Sequence, residues 1–218
     1  MRKLHDSFFK KAKAEGHLAR SIYKLEELDK RMKLFQPGMR VLDIGASPGS
    51  WLQYILKTVG ENGVVCAIDL KVIAPQFKGK VHFKQMDARD FADDLFSEVA
   101  PKFNAVVSDM APNTSGIRDV DQARSLELCE LAWQIAEKRL SNGGFFIVKV
   151  FDGPDFQKYR NRVASHFALS RVMKPQASRR ESIELYLVCS GYKLPQKPKR
   201  VRRDHIIRKT KGKRTRQY

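Results

Sequence analysis

Lys149 stands in Phe145-Phe-Ile-Val-Lys149-Val-Phe151, a run that is otherwise apolar. A charge in such a run is costly to bury unless it is paired, so the pattern puts Lys149 on a cleft with a partner. Three further charges share this property. Asp109 follows Asn104-Ala-Val-Val-Ser108, Glu184 lies within Ile183-Glu-Leu-Tyr-Leu-Val188, and Lys24 within Ala19-Arg-Ser-Ile-Tyr-Lys24-Leu. Two lysines and two acids so placed either form two structural ion pairs or handle a proton on a substrate.

A second constellation begins at Asp43-Ile-Gly45-Ala-Ser-Pro48-Gly49-Ser-Trp51. Glycines at a strand-to-helix turn let the backbone come close to a ligand. A pyrophosphate cradle wants G-x-G-x-x-G, whereas this turn has only Gly45 and Gly49, with Pro48 between them and Asp43 just ahead. An acid at the turn suits a cationic ligand. Asp69, 24 residues after Gly45, ends the next apolar run, where a carboxylate can accept from ribose hydroxyls. Asp87 ends the one after and is suited to an adenine amino group, or simply to capping a turn. Together these acids describe a pocket for an adenosine that carries a positive charge, and S-adenosylmethionine fits that description.

The elements that must hold these residues follow from periodicity. Leu18, Ile22, Leu25 and Leu28 recur at spacings of three and four, so the first 35 residues are expected to be helical up to Pro37-Gly38. Short β-branched runs follow at 40–44, 64–69, 81–86, 104–109, 145–150 and 183–190, with helical stretches near 50–58, 90–99, 121–140 and 154–166. Such alternation predicts an α/β fold, a mostly parallel sheet with helices on both faces. A weaker strand at 168–173 is separated from the last by too few residues for a crossover, so those two should pair antiparallel. In open parallel sheets ligands bind beyond the carboxyl ends of the strands, where Asp109 and Lys149 fall.

The charge distribution adds a partner. The chain has 218 residues with 42 Lys+Arg against 24 Asp+Glu, a net +18. Residues 193–218 hold 12 bases and one acid, residues 1–40 hold 11 and five, and the middle is nearly neutral. Two basic ends on a neutral body predict a polyanion, with the ends as binding regions and the body as the site of chemistry. Lys10, Lys11, Lys13 and Arg20 stand near Phe8, Phe9 and Tyr23, aromatics that either stack on exposed bases or staple their helix to the core. The expected units are a basic helical extension over 1–36, a catalytic domain over 37–192 and a basic tail over 193–218. Cys66, Cys129 and Cys189 lie far apart in apolar runs and the five histidines are scattered. That pattern predicts buried thiols in a cytoplasmic protein and no metal site. Neither a secretory signal nor a run of the roughly 20 apolar residues of a membrane span is present, and a monomer is expected.

Six blocks in order, ARSIYKLEEL, FQPGMRVLDIGASPGSW, the acid of CAIDL, SDMAPNTSG, NGGFFIVKVF and SRRESIELYLV, span about residues 17–192. They resemble the FtsJ/RrmJ family of S-adenosylmethionine-dependent RNA ribose 2'-O-methyltransferases, most of all the bacterial branch acting on 23S ribosomal RNA of the large subunit. The resemblance implies a Rossmann-like methyltransferase fold with seven strands, the last antiparallel. It places the family's catalytic Lys-Asp-Lys-Glu set on Lys24, Asp109, Lys149 and Glu184, and its cofactor contacts on Gly49, Trp51, Asp69, Asp87 and Asp109. Asp43, Gly45 and Pro48 join the cofactor set through the turn that holds them. Ser50 departs from the second glycine that many members have after Pro-Gly, and the basic tail is longer than is usual in bacterial members. A transfer-RNA anticodon-loop methyltransferase is the nearest alternative. A non-catalytic RNA-binding protein on this fold would have no need of all four charged residues, and a nicotinamide oxidoreductase lacks its third glycine.

Overall fold

Gly16, with φ of +71°, breaks the amino-terminal helical region into two in the computed structural model. The structure describes residues 3–179 and 182–194, with side chains from residue 7 onward. Helix α1 (Lys3–Ala14) and helix α2 (Ile22–Met32) flank the break, so Leu18 lies outside both and is partly exposed. The periodic reading merged the two because Leu18 happens to keep the spacing. Phe8 and Tyr23 pack together, ring centroids 5.7 Å apart, beside Ala12, Ile22 and Ala177. They staple α1 to the body. Phe9 is 61% exposed. Asp29, near the end of α2, accepts from the amides of Leu34 (2.8 Å) and Phe35 (2.9 Å) and turns the chain toward the sheet.

The sheet has seven strands in the order β3-β2-β1-β4-β5-β7-β6. They are β1 (Arg40–Ile44), β2 (Val64–Asp69), β3 (His82–Gln85), β4 (Phe103–Ser108), β5 (Leu140–Phe151), β6 (Phe167–Met173) and β7 (Glu184–Tyr192). The first five pair in parallel, and β7 lies antiparallel between β5 and β6. Strand order reverses between β1 and β4, the switch point at which such sheets open a crevice. Helices α3 (Ser50–Val59), α4 (Arg118–Arg139) and α5 (Phe156–Ala164) complete the layers.

Side-chain alternation sorts the core onto two faces. Val41, Val107, Ile147 and Tyr186 meet Leu25, Leu28, Leu52 and Ile55 of α2 and α3. Leu42, Val106, Phe146 and Val148 meet Trp133, Ile135 and Val163 of α4 and α5. Each fully buried Val, Leu or Ile contributes about 1.5–3 kcal/mol relative to exposure. Asp43, Asp109, Lys149 and Glu184 all have the parity of the α2/α3 face.

The helix expected near 90–99 is absent. A short 3-10 turn, Ala88–Asp90, is followed by irregular turns. The cause is Arg139, whose buried guanidinium donates to the carbonyls of Asp93 (3.1 Å) and Ala100 (2.8 Å) and also to Leu95. Carbonyls turned toward that cation are not free to close helical hydrogen bonds. The basic tail residues Lys197, Lys199, Arg200, Arg202, Arg203, Lys209, Lys211, Lys213, Arg214 and Arg216 lie outside the described residues.

Candidate active site

The turn after β1 is shaped first by its own protein neighbours. A Cβ on Gly45 (φ +82°) would come within 2.4 Å of Met110 Cγ, and one on Gly49 (φ +112°) within 2.1 Å of the Phe77 ring. Both glycines are therefore required by packing. Gly45 also borders a cavity of about 700 Å³, together with Asp69, Asp87, Asp109, Met110 and Asn113.

Asp69 ends β2 and accepts from two backbone amides, Ser47 (2.8 Å) and Lys71 (2.7 Å). Asp87 caps the 3-10 turn through the Arg89 amide (2.9 Å) and pairs with the Arg89 guanidinium (2.9 Å). The amide bond, ahead of the guanidinium, holds the Asp87 carboxyl below its usual range. A carboxylate has about four acceptor positions, so both acids keep lone pairs for a ligand in the cavity. Asp43 is 1% exposed, and neither of its oxygens has a partner. Burial, then the charges of Asp109 and Asp69, push its pKa well up.

Of the residues expected at the cofactor, Gly45, Asp69, Asp87 and Asp109 line the cavity. Asp43, Gly49 and Trp51 are buried off its lining, and Pro48 is exposed but also off it. The Trp51 side chain belongs to the core: its Nε1 donates to the Ser21 carbonyl at 3.0 Å, and its ring centre lies 6.0 Å from that of Tyr186. Only the backbone of Trp51 is left to serve a ligand. The apolar character of Trp51 could have signalled this, since it opens a helix that packs on the sheet.

The four charged residues come together beside this cavity. Lys149 Nζ is 3.1 Å from Asp109 Oδ1 and also donates to the Asp109 carbonyl. Lys24 Nζ donates to Glu184 Oε2 at 2.9 Å. Both lysines are 6% exposed. Across the β5/β7 pair, Lys149 stands opposite Tyr186 and Phe151 opposite Glu184, so the two ion pairs are diagonal neighbours on one face. Burial raises the Glu184 pKa, but Lys24 first and Lys149 after it outweigh this and hold the carboxyl below its ordinary value.

Tyr186 joins the pairs. Its hydroxyl donates to Asp109 Oδ1 at 2.7 Å, and Lys24 Nζ lies 5.8 Å from its ring centre. Burial, reinforced by Asp109 and Glu184, pushes its pKa well up and keeps it a donor. Sequence reasoning passed over Tyr186, although its spacing of two from Glu184 in one strand was available. It also passed over Asp121, a buried carboxylate in α4 that accepts from the Ser115 amide (2.7 Å), the Ser115 hydroxyl (2.9 Å) and the Gly116 amide (3.1 Å). Asp121 pins the loop that runs from Asp109 over the cavity.

A row of acids with one orphaned carboxylate, a nucleoside-sized cavity and a buried lysine beyond it suit a cationic nucleoside cofactor and an acceptor hydroxyl. Residues 18–192 match the family model described as FtsJ-like methyltransferase. A protein of Bdellovibrio bacteriovorus named ribosomal RNA large subunit methyltransferase E is 48% identical over 186 residues, covering 84% of this chain and 94% of its own length. One of the same name from Nitratidesulfovibrio vulgaris is 45% identical over 196 residues, covering 88% of this chain and 96% of its own. A crystal structure assigned as a ribosomal RNA methyltransferase of Plasmodium falciparum superposes with a TM-score of 0.69 at 29% identity, over 80% of this chain and 97% of that one.

Proposed function

Because the chain belongs to the FtsJ-like methyltransferase family, we propose that it transfers a methyl group from S-adenosylmethionine to a ribose 2'-hydroxyl of 23S ribosomal RNA, in the cytoplasm. The observation that carries this reading is the Lys149–Asp109 pair, locked by Tyr186 and standing beside the acid-lined cavity. The names of the relatives favour large-subunit ribosomal RNA over transfer RNA.

Asp69 and Asp87 would hold the ribose and adenine of the cofactor, Asp69 and Asp109 supply the negative field that a sulfonium cation prefers, and Asp43 adds to that field when a bound cation draws it into its ionised form. Bound S-adenosylmethionine supplies an electrophilic methyl group. A ribose hydroxyl keeps its proton tightly at neutral pH, so the chain's own residues must act on it. Lys149 Nζ contacts the 2'-oxygen, either taking its proton after giving up its own to solvent, or, as the ammonium, stabilising the alkoxide that develops as the hydroxyl proton passes to solvent. Asp109 orients Lys149, and Lys24 with Glu184 completes the charge network. Much of the acceleration comes from holding acceptor and methyl in line.

The basic ends hold the RNA, with the domain limits expected from the sequence. Labelled S-adenosylmethionine offered with large ribosomal subunits, and separately with transfer RNA, tests the reading. Label on a single ribose 2'-oxygen of 23S RNA is expected, and label only on transfer RNA overturns the substrate assignment. Removing the basic tail should weaken RNA binding and flatten its salt dependence while sparing cofactor binding. An unchanged salt slope would make the tail a bystander.

A further inference from the structure

Strands β4 and β5 pair only as far as Ser108 and Val148. Beyond that point, among the described residues, Lys149, Val150 and Phe151 pair with β7 alone, opposite Tyr186, Leu185 and Glu184. Lys149 is thus the first residue at which its strand loses a partner. Backbone groups of successive strand residues point to opposite edges, so the Lys149 carbonyl and the Phe151 amide share the edge that β4 has left. The Asp152 amide faces the other edge and donates to the Ile183 carbonyl, just ahead of β7, at 2.8 Å. Lys149, Val150 and Phe151 are all buried, so the groups on the vacated edge need partners from the protein.

Helix α4 supplies those partners. Cys129 Sγ donates to the Lys149 carbonyl at 3.1 Å, and Ser125 Oγ accepts from the Phe151 amide at 3.0 Å. Gln122 continues the row and donates to the Asp152 carbonyl. Spacings of three and four put residues 122, 125 and 129 on one helix face. That buried face is apolar further on, at Ala132, Trp133 and Ala136, so its polar part coincides with the stretch of β5 that β4 has left. The thiol is a dependable donor, because burial, ahead of every other influence, pushes its pKa up to about 12. Tyr159 Oη donates to the Cys129 carbonyl at 2.9 Å and fixes that turn of α4 from α5.

We propose that Cys129 and Ser125 are positioning residues for methyl transfer, replacing the ladder that β4 no longer provides and fixing the backbone from which Lys149 Nζ reaches the acceptor hydroxyl. The inference rests on the role given to Lys149 above and adds what holds that residue where the sheet opens. Asp109 meets the tip of the side chain, and α4 holds its root. A misplacement of about 1 Å at a reacting group costs about 10²-fold in rate, and one lost bond at the root should cost less. With large ribosomal subunits and labelled S-adenosylmethionine, Cys129→Ala is expected to lower kcat about 10-fold while KM for both substrates stays within about twofold of wild type. Cys129→Ser keeps a donor toward the Lys149 carbonyl and should return kcat to within about threefold. A cycle with Lys149→Met is decisive: if Cys129 acts through the amine, Cys129→Ala should cost less than about twofold once the amine is gone. Ser125→Ala, run through the same cycle, keeps the test open should Cys129→Ala not fold. Equal losses with and without the amine overturn the positioning role, as do unchanged turnover in Cys129→Ala or equal losses in Cys129→Ala and Cys129→Ser. Failure of the methyl-transfer reading would appear separately, as no label with wild-type protein or as normal turnover by Lys149→Met itself.

Discussion

The two halves of the sheet's carboxyl edge hold acids in opposite ways. On the side of β2 and β3, Asp69 and Asp87 are gripped by backbone amides, with the Arg89 guanidinium, which stays protonated, also on Asp87. On the side of β4, β5 and β7, Asp109 and Glu184 are gripped by lysines and a tyrosine hydroxyl. A backbone amide cannot change protonation and moves only with its chain, so the first half has a fixed shape suited to recognising a ligand. Side-chain amines and hydroxyls carry protons that can be given or taken, so the second half is suited to chemistry. The boundary between the halves is the topological switch point, where Asp109 lines the cavity and also pairs with Lys149.

Lys149→Ala is the hardest blow to the chemical half. Methyl transfer should fall by about 10²–10⁴-fold, the range supplied by a positioned proton-handling group. Cofactor affinity measured by calorimetry should hold within about twofold, since an interaction confined to the reacting centre adds little to ground-state binding. Removing one partner of a fully buried ion pair costs about 3–5 kcal/mol of stability. The Asp109 side chain is 20% exposed, so the cost should be smaller, and Lys149→Met keeps the volume as a check on folding. Folded protein with normal turnover would return the four charges to plain structural pairs.

Asp69→Ala strikes the recognition half. Hydrogen bonds to a charged group contribute about 1.5–3 kcal/mol each, and the cofactor ribose would lose at least one to Asp69, while the loss of the two amide bonds lowers stability. Cofactor affinity should fall about 10–100-fold by that scale, with kcat at saturating cofactor changing less. A large drop in kcat with affinity intact would erase the distinction between the halves.

What the sequence makes legible follows the same division. Lys24, Asp109, Lys149 and Glu184 are conspicuous because each is a charge set among apolar residues, and the strands that carry them announce themselves by β-branched runs. Tyr186 is not conspicuous, because a tyrosine belongs in a strand core whether or not its hydroxyl meets a carboxylate. The glycines of the β1 turn are easily seen, but their cause is not. Met110 and Phe77, which fill the space of their missing side chains, are far away in sequence. Trp51 shows the same limit, since facing the cavity or facing Tyr186 depends on how α3 is rotated against the sheet. The irregular segment after Asp87 escapes a reading by period because the cation that shapes it, Arg139, is contributed from the end of α4.

Tyr186→Phe separates Asp109 from its third support without changing shape. Losing one hydrogen bond to a charged acceptor, at about 1.5 kcal/mol, should lower kcat by about 10-fold. Cofactor affinity should be unchanged, because the Tyr186 hydroxyl faces Lys149's partner and not the cavity. Equal losses of kcat and of cofactor affinity would show that Asp109 acts as a single unit across both halves.

Asp43→Asn gives the smallest effect and tests the recognition half from behind. The Asp43 pKa in the folded chain lies well above its unfolded value, chiefly through burial. An acid raised in this way binds more protons folded than unfolded, so its ionisation drains stability as pH rises from the unfolded pKa toward the folded one. Asparagine has no such titration. The variant without cofactor should therefore melt higher than wild type near neutral pH, with the gap closing as pH falls toward 4, near the ordinary aspartate value. A gain of about 1 kcal/mol would appear as about 2–4 °C in a chain of this size. A bound cation would favour the ionised form of Asp43, a response asparagine cannot give, so affinity for a cationic cofactor should fall while the melting point rises. Wild type and variant melting alike across that pH range would mean that Asp43 ionises without cost, and the recognition half would then owe its charge preference to Asp69 and Asp109 alone.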